Sequence, residues 1–273
     1  MKTRSVLQVA AASLLLAACS SGPPPIKPGS PAFFWAVAQE SYRTGDLLKT
    51  QSTLLELGAS DNQYAERARV WHLVVSAGVM KGLNELTEVY QVGSTVNPVQ
   101  FRSHSAALRS LAANTAMEFT QAMFEAQNNK APSVQFAFRF PPGSVALPPD
   151  LQTVSRGIAL PDEVREVLQR DVLERGVILA VSSAVGNADD PVKAQARFQL
   201  PGVQVPRETF FFGMAKMLYE GSDLFGPKRL DRPERRTVMC KQALETLHTL
   251  PETAATKALA AEIQAALKQI PGV

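Results

Sequence analysis

The sequence predicts a mainly α fold of antiparallel helical hairpins, with one short extended or β segment near 134–140. Three observations carry this. Apolar residues recur at helical spacing from Phe33 onward. Glycine or asparagine punctuates that pattern at Gly45, Gly58, Gly93 and Asn128-Asn129. Proline with acidic neighbours opens later segments, as in Pro161-Asp162-Glu163 and Pro251-Glu252. At 273 residues and 45% apolar content the chain can bury a sizeable core. Its 28 basic and 25 acidic residues show no basic excess of the kind nucleic-acid binders carry.

Taken in order, the expected helices are 32–44, 46–57, 61–79, 81–92, 101–129, 161–187, 207–221, 233–249 and 253–269. Ser60-Asp61 precedes the third, and Ser103 caps near the start of the fifth. Short connections among the first four imply hairpins. The last carries an apolar stripe through Ala255, Leu259, Ile263, Ala266, Leu267 and Ile270. Two stretches alternate instead. Val134 to Phe140 places Val134 and three phenylalanines on one side, as a strand or as an extended segment laid on helices. Val192 to Leu200 also alternates, but Asp189-Asp190-Pro191 is a helix start, which favours a short helix. Were both strands, they would pair as a small ribbon. Pro141 to Pro149 holds four prolines and is irregular.

The N-terminus has another character. Lys2 and Arg4 precede an apolar run, Val6 to Ala18, too short to span a bilayer and of the size of a secretory core segment. The run ends in Leu16-Ala17-Ala18-Cys19. This resembles the lipobox of bacterial lipoproteins. The resemblance implies that residues 1–18 are removed as a signal peptide. It further implies that Cys19 becomes the first residue, carrying thioether-linked diacylglycerol and an acylated amino group. The chain is then lipid-anchored, and Ser20 in place of aspartate favours the periplasmic face of an outer membrane. Cleavage leaves 26 basic residues against 25 acidic ones. Residues 19–31 form the lipidated cysteine and its tether. From Ser20 to Pro31, five prolines and two glycines exclude helix and sheet. Extended at about 3.1 Å per residue, that tether reaches roughly 35–40 Å. Residues 32–270 form the helical-repeat-like domain.

Phe34, Val37, Ala38, Tyr42, Gly45 and Asp46 stand in the order Phe-x-x-Val-Ala-x-x-x-Tyr-x-x-Gly-Asp. This resembles the first half of a tetratricopeptide repeat. Thr50 departs from the alanine usual there, while Leu54 and Leu57 follow at its large and small positions. Ala215, Leu218 and Tyr219 with Ala243, Leu244 and Leu247 suggest a looser second hairpin. No fixed 34-residue period links them. The resemblance implies hairpins stacked in an α-solenoid-like way; an irregular all-helical domain is the alternative.

No catalytic residue, metal ligand set or cofactor is identified. His72, His104 and His248 are not at metal-ligand spacing, and no Cys-x-x-Cys occurs. Phosphate-loop, dinucleotide and Gly-x-Ser-x-Gly motifs are absent. Glu85 with Glu88, and Asp162 with Glu166, read as solvated faces. Cys240 reads as a small buried hydrophobe.

Three features remain as candidate sites. Lys228, Arg229, Arg232, Arg235 and Arg236 form a solvated loop or a patch for an anionic partner, with arginines opposing a helix macrodipole. Phe136, Phe138, Phe210, Phe211 and Phe212 form a core or the lining for an apolar ligand. Phe33-Phe34-Trp35 packs the first helix onto the body or dips into a membrane interface. The leading functional expectation is an envelope protein-interaction module whose partners are the membrane, through its lipid, and an envelope protein. A carrier of an apolar small molecule or lipid is the alternative, and an envelope hydrolase the third.

Overall fold

The computed structural model describes residues 26–128, 130–198 and 202–271. Cys19 and the expected signal peptide lie outside the described residues. The fold is mainly α, as expected. α1 (Pro31–Arg43) and α2 (Leu47–Ala59) come first, then α3 (Ala65–Val96) and α4 (Pro98–Ala126). α5 (Asp150–Ser155), α6 (Asp162–Ala184) and α7 (Pro191–Arg197) follow. α8 (Arg207–Gly221) runs into a 3-10 turn, Ser222–Phe225, before α9 (Pro233–His248) and α10 (Ala254–Lys268). Two three-residue strands, β1 (Ser133–Gln135) and β2 (Gln204–Pro206), pair antiparallel, Val134 opposite Val205.

The first hairpin forms for the reasons the residues suggest. Ser30 accepts from the Phe33 amide and Asp46 from the Lys49 amide, so each helix starts on a side-chain cap. Gly45, at φ +78°, lets the chain reverse. The Asp46 amide donates to the Ser41 carbonyl and the Gly45 amide to that of Tyr42, which closes the end of α1. Thr50, where alanine was the family expectation, is buried and donates to Ser41 Oγ at 3.0 Å.

α3 departs from the expected pair of helices over 61–79 and 81–92. It is one helix of 32 residues that runs straight through Gly78, Gly82 and Gly93. Each of these glycines, of which Gly93 was expected as a stop, marks a place where another backbone lies against α3. A methyl group on Gly176 of α6 would overlap the Gly78 carbonyl oxygen and sit 2.8 Å from the Gly82 nitrogen. One on Gly82 would lie 2.8 Å from the Val172 carbonyl oxygen, and one on Gly93 would meet that of Val154. α3 is therefore surrounded: α2, α4, α5, α6 and α8 all pack on it.

The other differences are smaller. α4 begins at Pro98, because Asn97-Pro98 makes the one-residue turn of the α3–α4 hairpin. α5 was not expected. The segment 134–140 is a strand only at its start. Its partner β2 has three residues, and Phe138 and Phe140 pack on aromatic rings instead of pairing. The short helix favoured over 192–200 is α7, capped by Asp190 accepting from the Lys193 amide. α8 and α9 pack as the looser hairpin.

Because the α3–α6 approach leaves no room for a side chain, Gly176→Val should lower stability by about 3 kcal/mol. Urea unfolding followed by far-UV circular dichroism measures it. A loss below about 0.5 kcal/mol, the range of neutral surface changes, would contradict the packing described.

Candidate functional site

The candidate site is a cleft of about 340 Å³ between α4 and the segment that leads from α8 into α9. Ala106, Arg109, Ser110 and Ala113 line one wall. Their spacing puts all four on one face of α4. Phe225, Leu230, Arg232 and Arg235 line the other.

Backbone hydrogen bonds shape that second wall. The 226–232 loop folds back on the 3-10 turn. The Leu230 amide donates to the Leu224 carbonyl at 3.1 Å, Asp231 to Gly226 at 3.1 Å and Arg232 to Phe225 at 3.0 Å. Asp231 takes φ +50° to make the reversal, a conformation aspartate tolerates better than most residues. Pro233 then starts α9, and Arg232 sits at its cap position without a side-chain cap bond. Arg232 and Arg235 thus lie at the helix end whose dipole is least favourable to them.

Of the five predicted basic residues, the structure brings Arg232 and Arg235 to the cleft and gives two others structural work. Arg229 pairs with Glu88 at 2.8 Å and Arg236 with Asp223 at 2.9 Å. Lys228 is exposed and lines neither cleft described here. Sequence reasoning missed Arg109 on α4, whose Nη2 donates to the Arg229 carbonyl at 3.4 Å. The Arg235 guanidinium lies 5.7 Å from the Phe225 ring centroid. Among the described residues, no carboxylate comes within 4.0 Å of Arg109, Arg232 or Arg235.

A second cleft, of about 350 Å³, is lined by Met80, Asn84, Met217 and charged residues of α3, α6 and α8. It differs in kind, because many of its charges are neutralised from within. Arg175 meets Glu85 at 2.6 Å, Lys81 meets Glu220 at 3.3 Å and Arg229 meets Glu88.

The phenylalanines are brought together, but inside the body. Phe136 packs edge-on against Phe138, Phe198 and Phe210, at centroid distances of 5.2, 5.5 and 5.8 Å. Phe138 stacks on Trp71, and Phe211 sits 5.2 Å from Phe210. Phe212 is half-buried beside this core. None of the five lines either cleft. Trp35 stacks on Tyr64 at 5.3 Å and meets Trp71 edge-on, so the tryptophan after the tether packs on the body.

The remaining polar candidates have ordinary surroundings. Glu85 and Glu88 pair with arginines, and Asp162 pairs with Arg165 at 2.9 Å. Cys240 is fully buried with Sγ 3.4 Å from Ser222 Oγ, and burial pushes its thiol pKa up. His104 packs on Tyr90, and His248 is exposed. Among the described residues no group of three or more His, Cys, Asp or Glu could hold a metal ion. Nor, among those residues, is any helix long and apolar enough to cross a membrane. Comparison with protein-family models, with curated proteins and with solved structures found no match.

His72 supplies a pH test of the core. It is 5% exposed, with Nε2 3.2 Å from Ser76 Oγ, and burial pushes its pKa down from 6.5 to about 4. The unfolded chain therefore binds the proton more readily. Stability should fall as pH drops from about 6.5 to about 4, by about 3 kcal/mol, and then level off in this respect. His72→Gln should flatten that part of the profile in urea titrations at stepped pH. An unchanged slope would contradict the assignment.

Proposed function

We propose that this chain is a lipid-anchored docking module of the bacterial envelope, tethered through Cys19 and presenting its helical body to an envelope protein. The observation that carries the docking role is an exposed apolar tip at the α3–α4 turn. Val92, Val96 and Val99 are 48, 62 and 95% exposed there. Ile158 is also exposed, and Gly157 before it lies against the Val96 side chain. Asn97 Nδ2 donates to the Gly157 carbonyl at 3.3 Å, which ties the two segments together. Grouped exposed aliphatic side chains on a folded body mark an interaction surface. The body behind them is built for presentation: long helices in direct contact, so that the tip moves with the core. The proline-rich lead-in supports the same reading, since it separates an anchor from a folded body.

The alternative, a carrier of an apolar molecule, has less behind it. The phenylalanines that motivate it are packed against one another, and Phe136, Phe210 and Phe211 are at most 2% exposed.

Two measurements test the proposal. Cys19→Ser should move the protein from the membrane fraction to the soluble fraction, because about 0.8 kcal/mol per buried methylene is lost with the acyl chains. Continued membrane retention would contradict anchoring at that residue. A photocrosslinking amino acid at position 99 should yield one dominant envelope-protein adduct in intact cells. Val96→Lys should reduce that adduct severalfold. Equal adduct formation by the variant, or a smear without a dominant product, would overturn the docking role of the tip.

A further inference from the structure

We propose that the arginine cleft is a binding site for a phosphate monoester bearing a short apolar group. This goes beyond the docking role and uses a different surface.

The first argument is charge. Arg109, Arg232 and Arg235 line one small cleft and, among the described residues, have no carboxylate within 4.0 Å. Arg229, Arg236 and Arg175 each have one. Like charges gathered without a counter-charge raise the free energy of the empty site, and a bound anion relieves this. Asp231 and Glu234 lie on the same segment, but neither pairs with a cleft arginine.

The second argument is the number of donors. A carboxylate offers two oxygens and is filled by one or two guanidinium forks. Arg109 keeps one donor on the Arg229 carbonyl, and the remaining donors of the three guanidiniums, with the Ser110 hydroxyl, exceed that capacity. A phosphate monoester offers three free oxygens and a charge near −2, which matches them.

The third argument is the apolar lining. Ala106, Ala113, Phe225 and Leu230 occupy the cleft beside the arginines. The volume, about 340 Å³, is at the small end of ligand pockets, which begin near 300 Å³. It suits a headgroup with a few carbons, not a chain buried along its length.

The fourth is preorganisation. The ion pairs of Arg229 and Arg236 and the backbone bonds of the 226–232 loop hold this wall before any ligand arrives. Arg235 rests over Phe225. The backbone of this wall is thus set in advance, and the ordering that binding must supply falls on the exposed Arg232 side chain.

The test uses the full chain purified in nonionic detergent, titrated calorimetrically with n-butyl phosphate, inorganic phosphate and pentanoate. The site predicts saturable n-butyl phosphate binding with Kd near or below about 1 mM. Inorganic phosphate should bind severalfold more weakly. The triple variant Arg109→Gln, Arg232→Gln, Arg235→Gln should lose at least roughly tenfold in affinity. Should the triple variant fail to fold, Arg232→Gln alone carries the test, since that side chain is exposed. Leu230→Ser should weaken n-butyl phosphate and leave inorganic phosphate unchanged. Pentanoate binding as tight as n-butyl phosphate would overturn the phosphate assignment. No saturation, or equal binding by folded variants, would overturn the site.

Vesicles distinguish the source of the headgroup. With the Cys19→Ser chain, which lacks the proposed anchor, binding to phosphatidic acid vesicles that n-butyl phosphate competes away, and that Arg232→Gln abolishes, supports the cleft with a lipid source. Butyl phosphate binding without such competition supports it with a soluble ester. Failure of the docking role would show as a missing adduct at position 99 with these titrations unchanged.

Discussion

The close approach of α3 and α6 is the constraint on which the rest of the structure depends. Gly78 and Gly82 on one helix and Gly176 on the other bring two backbones into contact. The residues between them are fully buried aliphatics, including Val74, Val75, Val79 and Leu83 on α3 and Val177 and Val181 on α6. Glycine carries a backbone-entropy cost inside a helix of about 1 kcal/mol relative to alanine. Here that cost is offset by dispersion contacts that only a side-chain-free surface permits.

From this crossing the other elements take their places. Gly213 of α8 lies against the Ser183 backbone, and Gly221 lies against Met80 of α3. α8 is thereby seated on both central helices. The 3-10 turn that follows it must leave toward α4, and the 226–232 loop closes there. The arginine cleft is thus a consequence of where α8 ends. Elsewhere in the body, the rings from Tyr64 through Trp35, Trp71, Phe138 and Phe136 to Phe210 join α1, α3, the segment after β1 and α8. The Tyr42 hydroxyl donates to the Arg139 carbonyl at 3.2 Å and ties that segment to α1.

Much of the helical order was legible in the sequence, because caps and turns are local chemistry. Asp46, Asp190 and Gly45 act within a few residues of where they stand. The unity of α3 was not legible. A helix buried on most sides shows no single stripe, and glycines admitted for contact look the same as glycines that stop a helix. β2 is too short to alternate. The basic patch was visible as a cluster, but its division of labour was not. Glu88, which engages Arg229, is 141 residues away, and Arg109 is 120 residues from the Arg229 carbonyl it meets. The phenylalanine alternation was correctly read as one-sided. Whether that side met a ligand or its own protein depended on α7 and α8, which periodicity cannot place.

Native-state hydrogen exchange tests the central claim most directly. If the glycine crossing anchors the body, amides of 73–83 in α3 and 172–181 in α6 should exchange only through global unfolding. They should share one opening free energy, equal to that from denaturant titration. Either stretch exchanging through a lower-energy partial opening, while the other stays protected, would show that the two helices are not one cooperative unit and would contradict the account.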